Sequence, residues 1–213
     1  MQVVEIFKSI DGEGKRAGLP ATFIRLAGCN CRCSYCDTEY SFNMNDAKTM
    51  TVEEIVDAVE EIGIPAITIT GGEPLIHEDI DVLLEELSNT GKFDINVETN
   101  GTVDPSKYYA LPNVWFTIDY KCYSSGERDR MNLDIYRNMR KQDVIKFVVG
   151  GQEDLQDCLR VLELNPVSEI FIGPVFGYSP TNIVKFLLEN KLYNCKCQLQ
   201  MHKYIWPPEM RGV

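Results

Sequence analysis

Short apolar runs and longer amphipathic stretches alternate along the chain. Ala21–Leu26, Ala66–Thr70, Phe93–Thr99, Val114–Asp119, Val144–Val149 and Glu169–Ile172 are rich in β-branched and aromatic residues and end in Gly, Pro, Asn or Asp, the pattern of buried strands. Between them apolar residues return at helical spacing. Val52, Ile55, Val56, Val59 and Ile62 predict a helix that opens with a Thr51/Glu54 capping box and stops at Gly63. Ile80, Leu83, Leu84 and Leu87 predict a second over 78–87, and Leu155, Cys158, Leu159 and Leu162 a third. Ser179-Pro180 reads as an N-cap with proline at the first position of a last helix. Gln198–His202 reads as a final strand before a proline-containing tail. The polar stretch Cys122–Gln142 reads as irregular, with one helical piece around Leu133–Arg140.

Alternating β and α units with nearly continuous apolar strands predict an α/β fold, a parallel sheet covered by helices. The strand count is short of a closed eightfold barrel, so a partial, open β/α barrel of about six parallel strands fits best, with an open doubly wound sheet as the alternative. The chain shows no repeat, low-complexity tract or linker, and residues 1–213 read as one domain.

Both architectures bind ligands at the carboxyl ends of their strands, and polar and glycine residues gather there. Gly71-Gly72-Glu73-Pro74 follows the second strand, Glu98-Thr99-Asn100-Gly101 ends the third and Asp119-Tyr120-Lys121 the fourth. Lys146 lies within the fifth, Gly173-Pro174 follows the sixth, and His202-Lys203 closes the last. The set predicts one ligand site at a common mouth.

Composition narrows the partners. The 213 residues are 44% hydrophobic and 25% charged, ordinary for a globular chain, and the net charge is −11. That charge argues against a general nucleic-acid surface and against an anionic membrane. The opening residues lack a basic n-region, and no stretch approaches the roughly 18 apolar residues of a membrane span, so a cytoplasmic location is expected. Eight cysteines are then expected to be reduced thiols or metal ligands. Cys158 falls on an apolar helix face and reads as core; Cys195 and Cys197 read as strand positions. His77 reads as a surface residue.

The remaining cysteines make the chemistry. After the first strand and an Ala27-Gly28 turn comes Cys29-Asn-Cys31-Arg-Cys33-Ser-Tyr-Cys36, a C-x3-C-x2-C cluster with Cys31 inside it. Three thiolates from one short loop suit zinc or an iron–sulfur cluster and leave a fourth coordination position open. Cys31 would disturb the x3-x2 spacing and is kept out of the ligand set.

This cluster, with Tyr35 before its last cysteine and Gly-Gly-Glu-Pro after the next strand, resembles the radical S-adenosylmethionine (SAM) enzymes. Ile10-Asp-Gly-Glu-Gly14, Phe23-Ile-Arg-Leu-Ala-Gly-Cys29, Cys36-Asp-Thr38 and Gln200-Met-His-Lys-Tyr204 narrow the resemblance to the 7-carboxy-7-deazaguanine synthase family of queuosine biosynthesis, over nearly the whole chain. The resemblance implies a partial barrel of the radical SAM type. It implies a [4Fe–4S] cluster on Cys29, Cys33 and Cys36 whose open iron takes SAM, and reductive cleavage of SAM to a 5′-deoxyadenosyl radical. The implied reaction is ring contraction of 6-carboxytetrahydropterin, with loss of ammonia, to 7-carboxy-7-deazaguanine.

The same resemblance implies residue roles. SAM would meet Tyr35, Cys36, Asp37, Gly72, Asp119, Tyr120, Lys121 and Gly173-Pro174-Val175-Phe176. Thr38 would hold Mg2+. Ile10, Asp11, Gly12, Glu13, Arg25, Thr70, His202 and Pro208 would line the pterin, Glu13 accepting paired N–H bonds from its guanidine-like edge. Arg25 is also read as one half of a buried structural ion pair, and Glu73 either as a contact to the SAM amino group or as a stabiliser of the following helix start. Family members carry Ser-Pro-Lys where this chain has Asp119-Tyr120-Lys121, so only Lys121 follows the pattern. The tail Glu209–Val213 extends past the proline where some relatives end. A reducing donor such as flavodoxin or ferredoxin and a homodimer are further implications. Two other readings stand beside this one: a radical SAM activase of a glycyl-radical enzyme, which needs neither Glu13 nor Thr38, and a non-catalytic zinc or cluster scaffold.

Overall fold

The computed structural model describes residues 1–207 and 210–213, with Asp46 in its backbone alone. β1 (Gln2–Ile10) and β2 (Pro20–Leu26) pair antiparallel, and the short β3 (Lys48–Thr49) pairs antiparallel with the outer edge of β1. From β2 the sheet turns parallel, through β4 (Ala66–Gly71), β5 (Asp94–Thr99), β6 (Val114–Tyr120), β7 (Val144–Val149), β8 (Glu169–Pro174) and β9 (Cys195–Cys197). The strand order is β3-β1-β2-β4-β5-β6-β7-β8-β9, an open, mostly parallel sheet. α1 (Val52–Ile62), α2 (Ile80–Asn89), α3 (Leu133–Arg137), α4 (Gln152–Leu162) and α5 (Pro180–Glu189) fill the connections, and α6 (His202–Ile205) follows β9.

Local chemistry sets several of these boundaries. Thr51 Oγ1 accepts from the Glu54 N–H (3.1 Å) while the Glu54 carboxylate accepts from the Thr51 N–H (2.8 Å), and Gly63 closes α1 in the left-handed region at φ 72°. Pro180 opens α5 as expected, but Ser179 does not cap it: its hydroxyl pairs with Thr181 Oγ1 at 2.7 Å. The opening segment, unassigned from its pattern, is a nine-residue strand. The expected strand over Gln198–His202 is absent. The Gln198 amide bonds both the N–H and the C=O of Gly14 (2.7 and 2.9 Å), which draws the chain off the sheet, and His202 instead begins α6.

Side-chain alternation along the strands divides two environments. Ile67, Ile69, Ile95, Val97, Phe116, Ile118, Tyr120, Ile145, Phe147, Val149, Ile170 and Ile172 face the helices and build the main core. The intervening positions face inward. At the start of the strands these are Trp115, Val144 and Phe171, a separate apolar plug. Towards the strand ends they become Thr70, Glu98, Asp119 and Lys146, which line a cavity. The sheet therefore has a dry floor and a polar mouth on one face.

Candidate functional site

The mouth opens into a cavity of about 780 Å³ at the carboxyl ends of the parallel strands. Cys29, Cys33 and Cys36 all line it, from the loop between β2 and the turn at Glu39–Phe42. Gly72 is what lets this loop sit there. A side-chain carbon on Gly72 would lie 2.0 Å from the Gly28 carbonyl oxygen and 2.8 Å from Cys29 Cβ, so the two backbones touch. The Gly72 N–H donates to Leu26 O (3.0 Å) and the Glu73 N–H to Gly28 O (2.8 Å), tying the Gly-Gly-Glu-Pro turn to the cysteine loop.

Glu73 itself is fully buried. Its carboxylate accepts from the Leu75 N–H (3.0 Å), the Thr99 hydroxyl (2.7 Å) and the Asn100 N–H (2.6 Å). Of the two readings of Glu73, stabilisation of the following turn is the one its contacts support; both oxygens are spent on the scaffold. Burial pushes its carboxyl up to about 7 against these hydrogen bonds. Asn100, so held, offers its amide to Asn30 Oδ1 (2.8 Å) and to Cys29 Sγ (3.8 Å).

The thiols are not equivalent. A hydrogen bond from Cys31 draws the Cys29 thiol down to about 6, against burial, with help from the Cys31 N–H and Asn100. The same hydrogen bond and burial push Cys31 far up, so Cys31 keeps its proton and donates it to Cys29. Burial raises Cys33.

The donor set fits a cluster better than one ion. Zinc holds its sulfurs at about 2.3 Å, which brings them to within about 4 Å of one another. Among the described residues, the group whose ligand atoms come within 4.8 Å of one another is Cys122, Asp154 and Asp157, not the three loop thiols. The three loop thiols are thus not gathered around a single-ion centre, and three thiolates from one loop suit an iron–sulfur cluster. Cys122, Asp154 and Asp157 are already engaged: Asp154 accepts from Ser124, Gly150 and Gly151, and Asp157 from the Tyr123 N–H.

Opposite the thiols, charges are paired. Lys121 meets Asp119 at 2.7 Å, Lys146 meets Glu13 and lies 3.8 Å from Asp119, and Lys203 meets Asp37 at 2.7 Å. Burial works to raise Asp119, but Lys121 and Lys146 hold its carboxyl below the usual range. Asp37 is held low by Lys203 in the same way. Glu98 lacks such close pairing. Burial pushes its carboxyl up to about 7, with Lys146 opposing, and Thr70 donates to it at 3.0 Å. His202 is lowered by burial despite Glu13 and Asp37, so its ring is neutral at pH 7. It packs against Gly12, where a side-chain carbon would meet its Nδ1 at 2.2 Å.

Thus Ile10, Asp11, Gly12, Glu13, Arg25, Tyr35, Asp37, Thr38, Thr70, Gly72, Asp119, Lys121, Val175, Phe176 and His202 are brought to one cavity with the three thiols. Asp11 presents mainly backbone, because its carboxylate is taken by Arg16 (2.7 Å) and Thr68 (2.8 Å). Arg25 forms the ion pair that was one of its two readings, with Glu5 at 2.7 Å, and it also lines the cavity.

Three expected SAM positions are not brought there. Tyr120 falls on the helix-facing parity of β6 and is buried against Tyr136 and Phe147. Pro174 falls on the outer parity of β8 and lines a separate recess, and Gly173 is covered by the Gln198 carbonyl. Pro208 lies outside the described residues. His77 is half-buried, its Nε2 2.8 Å from Ala27 O, and is not the surface residue expected. Glu98, Asn100, Lys146 and Lys203, expected among the strand-end residues of the common mouth but given no individual role, also line the cavity. Their positions at strand ends were the available signal.

The model of the radical SAM superfamily matches residues 23–148 of this chain. A 7-carboxy-7-deazaguanine synthase of Clostridium acetobutylicum is 42% identical, covering 100% of this chain and 99% of its own. The chain belongs to the 7-carboxy-7-deazaguanine synthase family. A synthase of Methanospirillum hungatei is 40% identical over 98% of this chain and 86% of its own length. The crystal structure of QueE from Escherichia coli, 23% identical, superposes with a TM-score of 0.75 over 94% of both chains, and so shares the open barrel. Radical SAM membership brings the [4Fe–4S] cluster and SAM as cofactors. Among the described residues no helix is long and apolar enough to cross a membrane.

Proposed function

We propose that this chain converts 6-carboxy-5,6,7,8-tetrahydropterin to 7-carboxy-7-deazaguanine with loss of ammonia, for queuosine and related 7-deazapurines. The observation that carries the reading is the meeting of the three-cysteine loop with Glu13, Arg25 and Thr38 in one cavity, in a member of the synthase family. Cys29, Cys33 and Cys36 would hold the cluster. Tyr35, Asp37, Gly72, Asp119, Lys121, Val175 and Phe176 form the side of the cavity assigned to SAM, and Thr38 would take Mg2+. When bound, cluster and SAM supply one-electron reduction and hydrogen-atom abstraction from carbon.

The rest is done by protein side chains. Glu13, fixed by Lys146, offers a carboxylate to the guanidine-like edge of the pterin. Arg25 offers a guanidinium to its carboxylate, and neutral His202 a ring nitrogen that can give or take a hydrogen bond. Forming the pyrrole from the pterin removes a proton from carbon, and the departing nitrogen needs one. Glu98, with its carboxyl near 7 inside the cavity, is suited to hold that proton. The electron donor would be a flavodoxin- or ferredoxin-type protein, and the enzyme a cytoplasmic homodimer. The family resemblance supports both assignments.

Anaerobic incubation of reconstituted protein with SAM, reductant, Mg2+ and 6-carboxytetrahydropterin is expected to give 7-carboxy-7-deazaguanine by mass spectrometry; cluster-loaded protein that makes none refutes the reading. If Glu98 works ionised, kcat rises with pH through about 7 and then levels. Glu98→Gln should remove that limb and lower kcat by about 10²-fold. A Gln variant whose pH profile keeps the limb would assign the proton to another group.

A further inference from the structure

The geometry points to Arg211, in the tail beyond α6, as a specificity-determining residue that binds the substrate carboxylate together with Arg25; this rests on the pterin reading above. Tyr40 is the centre of the arrangement. The Arg211 guanidinium lies 3.9 Å from its ring centroid and the Arg25 guanidinium 5.7 Å. Glu5 joins two of the partners, accepting from Arg25 Nε at 2.7 Å and from the Tyr40 hydroxyl at 3.1 Å. Arg25, Tyr40 and Arg211 all line the cavity, and Thr38, two residues before Tyr40, lies in its wall beside them.

Charge counting gives the ligand. Among the described residues one carboxylate, Glu5, pairs with this group, and it pairs with Arg25, so the Arg211 charge has no counter-charge there. Among the described residues Arg211 has no acidic partner, and the nearby Asp37 is taken by Lys203. A guanidinium close over a ring can still donate through its N–H groups, and their fork matches the two oxygens of a carboxylate. In a chain of net charge −11 this is a local site for one anion. Arg211 reaches the cavity from the tail after α6, a segment separate from the strand that carries Arg25.

The test uses cluster-loaded enzyme with SAM and Mg2+ but no reductant, so that binding is read without turnover. Anaerobic calorimetric titration compares 6-carboxytetrahydropterin with 6-methyltetrahydropterin, which lacks the carboxylate. Arg211→Gln should weaken the carboxylated ligand by about tenfold and leave the methyl ligand and SAM unchanged, with Arg211→Lys recovering part of the loss. Equal weakening of both pterins would show that Arg211 only packs the rim, and unchanged binding of both would make it a bystander; either result overturns the inference. Wild-type enzyme that binds neither pterin overturns the pterin reading, and this inference with it. Wild-type enzyme that binds while Arg211→Gln binds equally well overturns this inference alone.

Discussion

Cys33→Ala is expected to fold, yet to take up less than about one-tenth of the wild-type iron on anaerobic reconstitution and to make no product, because two thiolates from one loop cannot hold a four-iron cube against solvent and free thiol. Cys29→Ala and Cys36→Ala should behave alike. Cys31→Ala should not. Cys31 is 1% exposed and serves Cys29 as a hydrogen-bond donor. Its loss should remove about 1 kcal/mol of packing and polar stabilisation but leave the cluster and turnover in place. A second readout separates ligand from neighbour. In cluster-free protein the Cys29 thiol of the Cys31→Ala variant should titrate well above about 6, seen as a shift to higher pH in its alkylation rate. If Cys31→Ala loses iron as completely as Cys33→Ala, the ligand set Cys29, Cys33 and Cys36 is wrong.

The proposed ligand set could be read from the sequence because a short loop keeps its candidate ligands local, and all three thiols line one cavity. The same holds for α1, whose capping box, apolar stripe and closing glycine all lie within thirteen residues. Contacts across the sheet were less visible. Tyr120 follows Asp119 directly, so both stood at a strand end, but the alternation of the strand sends one to the cavity and the other into the core. Counting from the inward residues of each strand would have separated them. The pairings of Glu13 with Lys146 and Asp37 with Lys203 depend on strand order, which no local pattern states. His202 illustrates a third case. Its place beside the ligand site was expected, but it arrives from α6, because Gln198 takes its partners from Gly14 at the other end of the chain.

Gly72→Ala is expected to be severely damaging without touching a thiol. A Cβ there would stand 2.0 Å from Gly28 O, 2.5 Å from Gly28 C and 2.8 Å from Cys29 Cβ. The first two are backbone atoms, in a strand-end turn fixed by Gly72 N–H to Leu26 O and Glu73 N–H to Gly28 O, so no flexible side chain can move aside. Either those hydrogen bonds stretch or the cysteine loop shifts outward. Overpacking of this severity costs about 3 kcal/mol or more, which for a chain of this size lowers Tm by about 6–12 °C. The functional loss should be larger than the stability loss. A loop displaced by about one ångström moves Cys29 away from Asn100, and its thiol then loses one of the hydrogen bonds that draw it down. Reconstituted Gly72→Ala should therefore hold little iron and show negligible turnover even at temperatures where circular dichroism reports it folded. Gly151→Ala is the matching control. Its backbone is extended, and an added Cβ meets only Glu153 Oε2 at 3.5 Å, so iron content, Tm and activity should stay close to wild type. A Gly72→Ala protein with wild-type iron and Tm would mean that the cysteine loop is not held by the Gly-Gly-Glu-Pro turn.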